Sequence, residues 1–143
     1  MSENPLLRSG LALTGANQHE GGNGEDGILT ALEAAGLDLW GTKLVVLSAC
    51  ETGIGDVQNG EGVYGLRRAL VLAGAKSEMM SLWKVNDAAT HDLMIEFYRR
   101  LESGTGRSEA LRQVQLKMLK TNYRNHPYFW AAFILSGDWR SLN

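Results

Sequence analysis

The chain has 143 residues, of which 14 are Lys or Arg and 16 are Asp or Glu, and its formal charge of -2 is not gathered into a block of either sign. That length supports one domain with a moderate core, and the charge pattern excludes both a nucleic-acid stripe and a polybasic membrane anchor. One cysteine excludes an internal disulfide, no Cys/His cluster has metal-ligand spacing, and no apolar run is long enough to span a bilayer. The start Met1-Ser2-Glu3-Asn4-Pro5 lacks a basic flank followed by an apolar core. The expectation is therefore a cytoplasmic protein in a reducing compartment, with no metal or cofactor.

In chain order, Ser9 to Ala16 alternates apolar with small residues and predicts a short or edge strand, and Asn17 to Gly27 is a polar, glycine-rich surface loop holding His19 and Glu20. Thr30 caps a short helix, Glu33 three residues on completes a capping box, and Gly36 supplies the stop. The run Leu44-Val45-Val46-Leu47-Ser48-Ala49 predicts a buried central parallel strand that delivers Cys50 to the carboxyl edge of an α/β sheet, where ligands and catalytic groups collect. Gly62 to Ala75 carries Val63, Leu66, Ala69, Leu70 and Ala73 at helical spacing, with Arg67 and Arg68 opposite, and Gly74 at its end. Glu78 to Trp83 is the next strand, so a right-handed parallel crossover would set Trp83 near the same edge as Cys50. Helices at Ala88 to Ser103 and Ser108 to Thr121 follow, with stripes of Leu93, Met94, Phe97 and Leu101, and of Leu111, Val114, Gln115 and Met118. Phe129 to Leu135 reads as a last buried strand. So few strands suggest part of a domain, and the edge they leave open favours association with a second copy.

Cys50, following an apolar strand and preceding Glu51-Thr52-Gly53-Ile54-Gly55, stands where a nucleophile would be presented; its alternative reading is a small buried hydrophobe. A nucleophilic thiolate needs a positioned base or cation. Of the three histidines, His19 reads as a solvated loop residue, His91 beside Asp92 as a surface or half-buried helix residue, and His126 before Pro127 as a turn residue. Glu61 at a helix start is accounted for by the helix dipole. The loop Glu51 to Gly60 has glycines but neither a P-loop lysine nor the Gly-x-Gly-x-x-Gly spacing, so a nucleotide site is weakly supported.

Five ordered segments then carry a resemblance: Leu44 to Gly53, Asn59-Gly60-Glu61-Gly62-Val63-Tyr64-Gly65-Leu66, Ala73-Gly74-Ala75, Ser81-Leu82-Trp83-Lys84-Val85-Asn86-Asp87, and His126-Pro127-Tyr128-Phe129-Trp130-Ala131-Ala132-Phe133. Together they resemble the C-terminal portion of a CHAT domain, a caspase-like domain often fused to tetratricopeptide repeats and distantly similar to separase. The resemblance runs from about Leu6 to Trp139. It implies an α/β, caspase-hemoglobinase-like fold with a mostly parallel sheet flanked by helices, one partial domain over residues 1–143, and a cysteine endopeptidase dyad with Cys50 as nucleophile. The His-Gly motif that supplies the family's base lies upstream of the segment matching Pro5 to Gly10, so the base and one oxyanion donor are expected to be missing from this chain. His19 does not take that role. Asp87 matches the aspartate of the similar separase motif, which implies an acidic floor for the pocket that holds the residue before the scissile bond, with a preference for Arg or Lys. Its alternative is a helix N-cap. Trp83 either walls that pocket or fills core.

The leading expectation is thus a CHAT-type cysteine endopeptidase domain acting on a protein or peptide, with no nucleic acid or membrane as partner, and inactive on its own. A degenerate CHAT module that binds without cleaving is the second, and a small α/β ligand-binding domain with an inert cysteine the third.

Overall fold

The computed structural model describes residues 5–7, 9–14, 16, 27–48, 61–84 and 86–143, without the side chains of residues 5 and 61–64. The chain forms two compact units, Met1–Thr42 with Glu51–Ala75, and Lys43–Cys50 with Lys76–Asn143.

In the first unit a 3-10 turn, Pro5–Leu7, precedes strand β1, Gly10–Ala12, which pairs antiparallel with β2, Ile28–Thr30. The predicted strand over Ser9 to Ala16 thus shrinks to three residues and gains a partner that the alternation did not reveal. Thr30 ends β2 and caps helix α1, Ala31–Ala35. Its Oγ1 accepts from the Glu33 amide at 3.2 Å, and Glu33 Oε2 accepts from the Thr30 amide at 2.8 Å, so two of the amides left unpaired at a helix start are satisfied reciprocally. Helix α2, Glu61–Leu72, packs on α1. Ala31 and Ala34 of α1 and Leu66, Ala69 and Leu70 of α2 are buried. Gly74 ends this helix at φ +108, where a Cβ would meet the backbone of Trp40 at 3.1 Å.

The second unit holds a three-stranded sheet of order β3-β4-β5, formed by Val45–Leu47, Ser77–Ser81 and Phe133–Gly137. β3 and β4 are parallel, with Val45 opposite Glu78 and Leu47 opposite Met80. β5 runs antiparallel to β4, with Ser77 opposite Gly137 and Ser81 opposite Phe133. Among the described residues, then, the middle strand is β4, all five of whose residues are buried, while β3 is half-buried and lies at one side. The central position predicted for Leu44 to Ala49 is thus corrected among the described residues, where the strand covers Val45–Leu47. Its apolar run indicates burial of a strand but carries no information on its rank in the sheet.

Helices α3, Asp87–Glu102, and α4, Arg107–Leu119, form where the two stripes place them. Leu93, Phe97, Leu101, Leu111, Val114 and Met118 meet Met79, Ala132 and Phe133 in one core. The expected strand over Phe129 to Leu135 is corrected. Residues Pro127–Trp130 form a short helix, α5, and the strand begins only at Phe133. Pro127, with φ already preset and no amide to lose, stands at the first position of α5, and His126 caps it, so the aromatic run opens as a helical turn that packs Phe129 and Trp130 against the core.

A buried cation pins the amino end of this sheet. Arg107 is 2% exposed, and its guanidinium donates to the Arg140 carbonyl at 2.8 Å, to Ser77 Oγ at 2.8 Å and to the Lys43 carbonyl, with Asp138 Oδ2 at 3.3 Å. Ser77 Oγ donates in turn to the Lys43 carbonyl at 2.6 Å. Backbone turns close around the same point. Gly137 sits at φ +90, and a Cβ there would lie 2.4 Å from the Lys76 carbonyl oxygen.

Candidate functional site

The register that sets Leu47 beside Met80 brings the carboxyl ends of β3 and β4 to one edge of the second unit. Cys50 follows the end of β3 by three residues; it lies outside the described residues, as do His19, Glu20 and the loop over 51–60. Trp83 follows the end of β4 by two residues and Asp87 by six.

The exit from β4 is fastened to the last part of the chain. The Leu82 amide donates to the Ala132 carbonyl at 2.8 Å, continuing the ladder by one bond. Trp83 Nε1 then donates to the Tyr128 carbonyl at 3.1 Å, which leaves the indole 37% exposed rather than in the core. Beyond it, Asn86 adopts extended backbone, and its Oδ1 accepts from the Ala89 amide at 3.2 Å. Asn86 is therefore the N-cap of α3, and Asp87 is not; that alternative for Asp87 is corrected by one position. Asp87 occupies the first turn, exposed and with no side-chain partner among the described residues, where the amide end of the helix favours a negative charge. The signal for this cap was present in Asn86-Asp87, two residues that both cap well and that spacing alone does not separate.

The described histidines are engaged locally. His126 Nδ1 accepts from the Tyr128 amide at 3.2 Å, capping α5. His91 lies on the open face of α3 with Nδ1 3.2 Å from Asp92 Oδ1, and Asp92 also receives Arg124. The hydrogen bonds from His91 and then Arg124 hold the Asp92 carboxyl below the ordinary carboxylate range. Among the described residues no group of three or more His, Cys, Asp or Glu side chains could hold a metal ion.

The CHAT domain family matches residues 1–138. The chain belongs to the CHAT domain family. This CHAT domain is 35% identical over 116 residues to human Tetratricopeptide repeat protein 28, and 34% identical over 116 residues to its mouse counterpart. Each match covers 81% of the chain but spans only 5% of the length of the relative. The relatives are thus tetratricopeptide repeat proteins by name. The α/β character expected of the family is present in both units, as helices packed with a two-stranded and a three-stranded sheet. No helix among the described residues is long and apolar enough to cross a membrane.

Proposed function

We propose that this CHAT domain is a caspase-like cysteine endopeptidase module in which Cys50 is the nucleophile, Asp87 receives the Arg or Lys side chain before the scissile bond, and Trp83 forms a wall of that pocket. The parallel register of β3 and β4 carries this reading, because chain segments leaving two adjacent parallel strands start from the same edge. Three residues of chain separate Cys50 from the end of β3, and six separate Asp87 from the end of β4. The open carboxylate of Asp87, with no cation paired to it among the described residues, suits a guanidinium or ammonium supplied by a substrate. The Cys50 thiolate would attack the scissile carbonyl, and its own amide would be one donor to the oxyanion that develops. The base comes from outside the matched positions of this chain: His91 and His126 are engaged in their own helices, and His19 does not match. The 143-residue chain alone is therefore a poor catalyst.

The same engagement of His91 and His126 favours a second reading, a CHAT module that binds a peptide without cutting it, within a tetratricopeptide repeat protein. Electrophilic ketones on peptides ending in Arg, Asp or Leu separate the two without requiring turnover. Mass spectrometry should find the Arg compound attached to Cys50 several-fold faster than the others, with the lead lost in Asp87→Ala. Equal rates for the three peptides would refute the acidic pocket. An unmodified Cys50 that still reacts with a small alkylating agent would retire the peptidase in favour of the module.

A further inference from the structure

The opposite edge of the three-stranded sheet holds a second feature, independent of the site proposed above. Lys43 stands two residues before β3, Lys76 directly before β4, and Asp138 directly after the antiparallel β5, so all three reach the same edge. With Arg107, Arg140 and Ser141 they line a cleft of about 260 Å³ within the second unit. Four cationic side chains face one carboxylate side chain there, and Asn143 completes the lining. The amino end of the 13-residue helix α4, whose N-cap Gly106 has no side chain to offer, adds its dipole to the same field.

The least engaged donors are the two lysines. Arg140 is committed to Asp138 through two contacts, Nε to Oδ1 at 3.0 Å and Nη2 to Oδ2 at 2.8 Å. Arg107 is spent on the Lys43, Ser77 and Arg140 oxygens and on Asp138. The Nε and Nη2 edge of Arg140, the one that grips a planar carboxylate side by side, is already taken by Asp138. Lys76, exposed, has no side-chain partner among the described residues, and Lys43 Nζ donates one of its three protons to the Leu142 carbonyl. Ammonium groups act as point charges that accept any approach direction, which suits a tetrahedral multiply charged oxyanion. The volume lies just below that of ordinary small-molecule sites, enough for a phosphoryl group and a few atoms attached to it.

We propose that this cleft is a phosphoryl-binding site, with Lys76 and Lys43 as the direct donors and Arg107 and Arg140 as the fixed positive background. The phosphoryl group belongs either to a small molecule or to a phosphorylated side chain. Calorimetric titration of the full chain at low ionic strength, once with inorganic pyrophosphate and once with a short phosphoserine peptide, distinguishes those sources. At least one ligand should bind saturably. Lys76→Ala should weaken it about tenfold, as expected for one charge-assisted hydrogen bond, and Lys76→Glu should abolish it. Lys120→Ala, an exposed lysine of the same unit outside the cleft, should leave affinity unchanged, and far-UV circular dichroism of each variant should match the native chain. Absence of saturable binding by both ligands, or equal affinity in the Lys76 and Lys120 variants, overturns the proposal.

Discussion

Replacing Arg107 tests how a buried cation stabilises the second unit. Truncation to alanine removes hydrogen bonds to the Arg140 carbonyl, the Lys43 carbonyl and Ser77 Oγ, and leaves a void where a 2%-exposed side chain had been. Bonds to a charged donor contribute about 1.5 kcal/mol or more each and a core void adds further loss, so Arg107→Ala should cost about 4 to 5 kcal/mol. Methionine should be milder. It refills much of the volume, and three of the acceptors keep another partner in either variant: the Lys43 carbonyl retains Ser77 Oγ at 2.6 Å, the Arg140 carbonyl retains the Arg107 amide at 3.2 Å, and Asp138 retains Arg140. Removing the desolvated charge offsets part of what is lost, which brings the expected cost of Arg107→Met to about 2 kcal/mol. Arg112→Ala, at a 61%-exposed side chain paired with Glu109, should leave the unfolding midpoint nearly unchanged. Urea unfolding in a Trp40→Phe background, where the remaining tryptophans all belong to the second unit, reads the effect where it arises. A methionine variant as unstable as the alanine variant would refute the reasoning, since refilling the volume would then recover nothing.

Asn86→Ala should lower stability by about 1 kcal/mol through loss of the α3 cap, whereas Asp87→Ala should cost only about 0.3 kcal/mol through the helix dipole; equal losses in denaturant unfolding would contradict the cap geometry. The hydrogen bonds from Arg112 and then Gln113 draw the Glu109 carboxyl down from its ordinary 4.5 to about 2. A depressed carboxylate stabilises the fold above its unfolded value and loses that support as pH falls through the folded one, so the Glu109 contribution is complete above about pH 4.5 and vanishes toward pH 2. Carboxyl carbon shifts of Glu109 should titrate well below those of a free glutamate, and a midpoint at the ordinary value would remove the link.

Helices were legible wherever one local rule sufficed. The Thr30–Glu33 box and the stripes through Leu93 to Leu101 and Leu111 to Met118 depend on spacings within a turn or two, and they stand where those spacings put them. The strand pairings depended on partners far away. Nothing within Gly10–Ala12 announces Ile28–Thr30, and an apolar run cannot say that β5 turns antiparallel to β4 after three intervening helices. Pro127 was a legible helix start, overridden by the aromatic run behind it. Arg107 gave no signal at all, because its partners lie at positions 43, 77, 138 and 140. At the candidate site the residues after β4 were legible as a group, while the choice between Asn86 and Asp87 as cap was a matter of one residue of phase.

Arg107 also has a consequence for how sequences of this shape diverge. Two of its hydrogen-bond acceptors, at Lys43 and Arg140, are backbone oxygens, which every amino acid carries. Side chains at those two positions can drift without disturbing the guanidinium. Chain length cannot: an insertion or deletion between Lys43 and Val45, or between Gly137 and Arg140, shifts a carbonyl out of reach. Around this arginine, gaps should be purged more strictly than substitutions.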